Sequence, residues 1–233
     1  MNPRPDDPNL AQLVAAAEKL RPLLDQIAFV GGCVTGLLLT DPAAAPVRPT
    51  LDVDAIVAIA SYEEFTLLED RLRDLGFHQS LAEDAPICRW LNGNLILDLI
   101  PTDPSILGSA ISGMDPPWLM RKKMKIDEHE IQIVTAPYFL ATKLEAFHGR
   151  GKKDFRSHDL EDIVTVIDGR PEIIEEVPLT AADLQKYLSA ELKALLSNRE
   201  FLEALPGHLL PDAASQQRLY LVMKRMQQLV RGK

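Results

Sequence analysis

From Leu51 to Ile59 the chain is apolar and strand-like except at Asp52 and Asp54. Residues two apart on a strand leave the same face, so these carboxylates stand about 7 Å apart at a rise near 3.3 Å per residue. Burying both costs on the order of several kcal/mol each unless a cation or hydrogen bonds compensate. Hard oxygen donors of this kind suit magnesium, which takes one or two carboxylates and completes its shell with phosphates and water. A strand end that opens to water accommodates the same pair without a metal. Upstream, the apolar run Ile27–Val30 stops at Gly31-Gly32, and Val34–Leu39 resumes with helix-compatible residues. A strand, a tight turn and a helix are the simplest parse. Glycines there let backbone N–H groups approach an anion, or serve the turn alone.

A third carboxylate, Asp98, lies inside Leu95–Ile100, a segment too apolar for an exposed edge. Its side chain needs a partner, and the Asp52/Asp54 pair with a metal would supply one, with Asp98 as ligand or as acceptor of a nucleophile's proton. The spacing predicts a hairpin of Ile87–Leu91 and Leu95–Ile100 around Asn92-Gly93-Asn94, since Asn-Gly supplies the positive φ of a tight turn. Ile126–Val134 reads as one further strand. Helices are predicted over Leu10–Leu24, from the capping box at Ser61 to the stop at Gly76, from Pro137, over Asp159–Ile167, from a Thr180 cap to Leu196, and over Ala213–Val230. Lys143 and Arg150 share one face of the Pro137 helix. The head, Met1–Leu10, reads as disordered, and Asp41–Pro49, rich in proline and alanine, as a loop. The expected class is α+β: a mixed sheet flanked by helices over residues 1–135, then a helical part over 136–233.

The 233 residues suffice for one large domain or two small ones without disulfides or structural metal. Cys33 and Cys88 lack C-x-x-C spacing and a histidine neighbour, which points to reduced thiols. No apolar run nears the roughly 20 residues of a membrane helix, and the N-terminus does not read as a secretory signal. The expectation is a cytoplasmic protein without membrane contact. A net charge of −9 argues against wholesale wrapping of nucleic acid. Local basic surfaces remain at Arg121, Lys122, Lys123 and Lys125 and at Arg150, Lys152, Lys153 and Arg156, with solvated charged faces as the alternative.

Gly31-Gly32, Arg48-x-Thr50-x-Asp52-x-Asp54 and Asp98 together resemble the signature of polymerase-beta-type nucleotidyltransferases. Ala136–Phe147 with Lys143, then Arg150, then Ser157-His158-Asp159-Leu160-Glu161-Asp162-Ile163, is similar to the AbiEii/AbiGii-like toxin nucleotidyltransferases, with their Lys-Leu-x-Ala helix, arginine and Asp-x-x-Asp helix. The resemblance covers about Phe29 to Gly169. It implies a polymerase-beta-like sheet and magnesium-dependent transfer of a nucleotide from an NTP such as ATP, with release of pyrophosphate. Manganese is the alternative ion. RNA, tRNA or a protein would be the acceptor, and a toxin role would bring an antitoxin partner. Asp52 and Asp54 would bind the metal, and Asp98 would complete the site or act as base. Gly31, Gly32, Thr50 and Arg150 would line the nucleotide, Lys143 would contact its phosphates, and Asp159 or Asp162 would support Lys143 or the nucleotide.

Two departures stand out. Nineteen residues separate Gly32 from Asp52, an insertion that would widen the acceptor side, and Asp154 competes for the role of Asp159. An apolar strand ending in Asp-x-Asp also resembles a haloacid-dehalogenase start, though Ile56 stands where that motif wants Thr or Val. An aspartyl phosphohydrolase is therefore one alternative, and a catalytically inactive nucleotide- or partner-binding module the other.

Overall fold

The computed structural model describes residues 4, 6–59, 61–101, 121–150 and 154–232, with Arg150 described in its backbone only. The chain forms two compact units, Met1–Gly36 with Arg48–Thr135, and Leu37–Val47 with Ala136–Lys233.

The first unit is built on a seven-stranded mixed sheet: β1 (Ile27–Val30), β2 (Val53–Val57), β3 (His78–Gln79), β4 (Arg89–Asn92), β5 (Leu95–Pro101), β6 (Arg121–Ile126) and β7 (His129–Val134), in the order β3-β4-β5-β2-β1-β7-β6. The centre is central because it is apolar on both faces. β1 is buried at every position, and β2 puts Val53, Ala55 and Val57 on one face and Asp54 and Ile56 on the other. β2 runs antiparallel to β1 and parallel to β5. Helix α1 (Leu10–Lys19) lays Leu13, Ala16 and Ala17 onto this sheet. Helix α3 (Tyr62–Asp74) starts where the capping box predicts, Glu64 N–H donating to the Ser61 hydroxyl at 3.2 Å, and buries Phe65, Leu68 and Leu72. Between them, α2 (Thr35–Leu38) follows a 3-10 turn at Gly32–Val34.

The β4–β5 hairpin forms as read, with Gly93 at φ 62°. The single strand expected over Ile126–Val134 is instead the hairpin β6–β7. Its turn passes through Asp127 at φ 50°, a conformation whose steric cost aspartate offsets by local hydrogen bonding. The first basic cluster thereby becomes part of β6, an edge strand among the described residues. Its exposed Lys123 and Lys125 oppose pairing with other chains, and Lys123 donates to Glu130 at 2.6 Å.

The head is also ordered closer to the N-terminus than its composition suggests. Asp7 and Asn9 are buried. The Asn9 side chain donates to Arg48 O at 3.1 Å and accepts from Thr50 N–H at 2.8 Å, and Gln12 donates to Leu51 O at 2.8 Å. Tertiary hydrogen bonds of this kind outweigh a polar, proline-rich local sequence.

The second unit is helical. The principal helices are Ala136–Arg150, His158–Gly169, Ala182–Ser197 and Leu219–Arg231, around a core that includes Leu140, Leu144, Ile163, Leu188, Leu192 and Met226. The Thr180 cap does not form. The hydroxyl donates instead to Val177 O at 2.7 Å, and the helix begins at Ala182 without a side-chain cap. The final helix is interrupted at Arg218, whose guanidinium holds Asp168 at 2.8 Å and Asp41 at 2.6 Å. The segment Leu37–Val47 belongs to this unit because Thr40 and Asp41 N–H groups both donate to Gly169 O, at 2.8 and 2.9 Å. A Cβ at 169 would lie 2.7 Å from Leu39 Cδ2 and 3.1 Å from Ala44 Cβ, so a larger residue there would require Leu39 to shift.

Candidate active site

Four charged side chains of the first unit occupy one face of the sheet. Asp54 on β2 and Asp98 on β5 are partners across a parallel pair, and Asp98 faces Arg89 across the antiparallel β4–β5 pair. Lateral partners project to the same side, so alternation along β2 and pairing across β5 and β4 converge on one cluster. Asp52 lies just before β2, which begins at Val53 and not at Leu51. Leu51 is 83% exposed. The carboxylate pair thus straddles the point where the strand emerges from the core.

Arg89 ties the cluster together. Its Nε donates to Asp98 Oδ1 at 2.8 Å, and its NH2 nitrogen donates to Asp98 Oδ2 at 2.7 Å and to Asp52 Oδ2 at 3.0 Å. The forked contact to Asp98 is the strong bidentate form, and it holds the guanidinium pKa well above its ordinary value. Asp98 is almost buried, with 8% of its side chain exposed, against 32% for Asp52. The need for a partner inferred for Asp98 is therefore met by an arginine. The Thr50 hydroxyl donates to Asp52 Oδ1 at 2.9 Å, so both oxygens of Asp52 are oriented. Thr50 is in turn held by Asn9, so the N-terminal segment positions the site.

Gly31 has a specific reason to be glycine. It sits at φ 76°, and a Cβ there would lie 1.9 Å from Asp54 Oδ2. The turn after β1 is the floor against which the Asp54 carboxylate rests. Gly31→Ala should cost about 1–3 kcal/mol from the positive φ and the displaced carboxylate, read as a lower urea midpoint at unchanged slope. A neutral result would mean that Asp54 does not rest on this turn.

Cys88 adjoins the cluster, and its thiol is pushed up to about 11, first by burial and then by the negative charges of Asp98 and Asp54. Because the thiolate is the reactive form, alkylation of Cys88 at pH 8 should run about two hundredfold slower than that of a free cysteine of pKa ~8.5. It should accelerate toward pH 11, and Asp98→Asn should raise the rate at pH 8. A rate like that of the free thiol would contradict this environment.

In the second unit, Lys143 Nζ lies 3.4 Å from Asp159 Oδ1 and 2.6 Å from Asp162 Oδ2, all three side chains being nearly buried. Two aspartates at i, i+3 on one helix thus clamp a lysine from another. Asp154 does not compete for the lysine. It is exposed, and its Oδ1 accepts from Arg156 N–H at 3.0 Å in the turn before the helix. Arg150 closes the Lys143 helix, and its side chain, like Lys152 and Lys153, lies outside the described residues.

Arg89, Asn9 and Gln12 escaped the sequence reading. Arg89 had a usable signal, because it is the lone cation of the hairpin strand that pairs with Asp98. The contacts of Asn9 and Gln12 span about forty residues of chain and leave no local pattern.

No family model and no curated protein matches this chain. Among solved structures it is similar to an antigenic nucleotidyltransferase-like protein from Paracoccidioides brasiliensis, at 19% identity and a TM-score of 0.48, over 89% of this chain and 96% of that one. It is also similar to JHP933 from Helicobacter pylori, at 12% identity and a TM-score of 0.48, over 96% of this chain and 92% of that one.

Proposed function

We propose that this chain is a nucleotidyltransferase that moves a nucleotide from an NTP to an acceptor hydroxyl on RNA, tRNA or a protein and releases pyrophosphate. The observation that carries this reading is that Asp54 and Asp98 share one sheet face, with Asp52 joined to Asp98 through Arg89 and Asp54 seated on the glycine turn. A face so rich in carboxylate is stable only beside positive charge, and Arg89 already supplies part of it.

The donor set fits magnesium or manganese in kind. Asp52 and Asp54 are both partly exposed carboxylates at a strand end, and magnesium is commonly held by one or two such groups plus substrate phosphates. Among the described residues no group of three or more His, Cys, Asp or Glu side chains is arranged to hold a metal alone. Asp52 and Asp54 would hold the ion, which when bound neutralises triphosphate charge. Thr50 keeps one oxygen of Asp52 oriented, and the glycine turn keeps Asp54 in place, which limits the reorganisation needed when substrate arrives.

The finer reading, an ATP-using toxin of the AbiEii/AbiGii-like kind with an antitoxin partner in the cytoplasm, rests on the second motif. Its support is that Lys143, Asp159 and Asp162, which the resemblance groups by sequence, touch one another in the second unit. One observation favours a non-catalytic binding module instead: Arg89 spans Asp52 and Asp98, as in a cluster that has lost its need for metal.

The deciding experiment incubates the protein with magnesium, each labelled NTP and total RNA. Label in RNA or protein supports transfer. Tight NTP binding without turnover supports the binding module, and phosphate release without transfer supports a phosphohydrolase.

A further inference from the structure

We propose that Arg89 is a resident cation of the carboxylate cluster, leaving a single divalent ion to Asp52 and Asp54 and making Asp98 a positioning residue rather than a metal ligand or base; this rests on the nucleotidyltransferase reading. Both Asp98 oxygens accept from Arg89, at 2.8 and 2.7 Å, and the two residues face each other across β4–β5, so backbone pairing presets the fork. In a carboxylate with 8% of its side chain exposed, the guanidinium fork takes one lone pair of each oxygen, so a second cation or a substrate proton must compete for the remaining, less accessible positions. Releasing it would mean leaving a buried charge without its counter-ion.

Arg89 also reaches Asp52 Oδ2 at 3.0 Å, and this link is the weaker one: it is a single contact to a carboxylate that is 32% exposed. Asp52 can exchange the guanidinium for a metal, whereas Asp98 keeps it.

Manganese binding to the full chain without nucleotide, counted by electron paramagnetic resonance, tests this without reference to activity. Wild type should take one ion per chain. Asp52→Asn should weaken binding at least about tenfold, and Asp98→Asn, isosteric and keeping one of the two acceptors for Arg89, less than about threefold. Arg89→Gln should tighten binding about tenfold by removing the competing charge, while Arg89→Lys, which keeps the charge, should stay within about threefold of wild type. A loss in Asp98→Asn equal to that in Asp52→Asn, two ions on the wild type, or unchanged affinity in Arg89→Gln overturns the role given to Arg89 and leaves the nucleotidyltransferase reading standing. A wild-type chain that binds no manganese, either alone or with a non-hydrolysable NTP analogue present, overturns both.

Discussion

Asp52→Ala should abolish transfer of label from NTP, by a factor on the order of 10³ or more, while leaving the protein folded. The size follows from what the residue would do: preorganised charge at a phosphate-handling site commonly contributes 10²–10³ or more to rate, and one of two proposed metal donors would be gone. The intact fold follows from where Asp52 sits. It lies outside β2, its side chain is 32% exposed, and its links to Arg89 and Thr50 are partly solvated. Contacts of that kind contribute about 0–1 kcal/mol. Circular dichroism and the urea midpoint should therefore be close to wild type while transfer is lost. Unchanged transfer in a folded variant would remove Asp52 from the site.

Lys143→Ala should do the reverse and act first on stability. With 6% of its side chain exposed, Lys143 lies between Asp159 and Asp162, at 7% and 3%. Removing one partner of a buried ion pair costs about 3–5 kcal/mol, because the remaining charge is neither paired nor hydrated. That is a large share of the 5–15 kcal/mol that holds a typical domain. The urea midpoint should fall sharply, and Lys143→Met combined with Asp162→Asn should recover part of the loss. A loss under 1 kcal/mol for Lys143→Ala would mean that this cluster is more hydrated than its burial indicates. Transfer assays on Lys143 variants are informative only below the temperature at which they unfold.

These two variants mark how differently the two motifs can be read from sequence. The Asp52/Asp54 pair is legible because two carboxylates interrupt an otherwise apolar run, although only Asp54 lies on the strand, and Asp98 is legible because a lone carboxylate in Leu95–Ile100 violates its surroundings. The glycine turn is legible as a turn, but the tertiary structure shows what it is for: Asp54 rests where a Cβ would stand. The second motif groups Lys143 with Asp159 and Asp162 only by resemblance. Packing of the two helices brings their charges within 2.6 and 3.4 Å.

The misread elements have separate causes. The β6–β7 turn at Asp127 lacks glycine, so no strong turn signal divides the strand. The Thr180 box fails because a neighbouring 3-10 turn accepts its hydroxyl. Asp7 and Asn9 look like a solvated head until their partners at Arg48 and Thr50 are known.

The sequence by itself determined the α+β class, the central strands, the carboxylates on one face and the helical second half, because periodicity and burial cost act over a few residues. Only the tertiary structure decided that Arg89 neutralises Asp98, that the N-terminal segment braces Thr50, and that Leu37–Val47 belongs to the helical unit. Those contacts join residues from 9 to 177 positions apart. Hydrogen bonds and ion pairs across such separations leave no periodic trace in the chain that makes them.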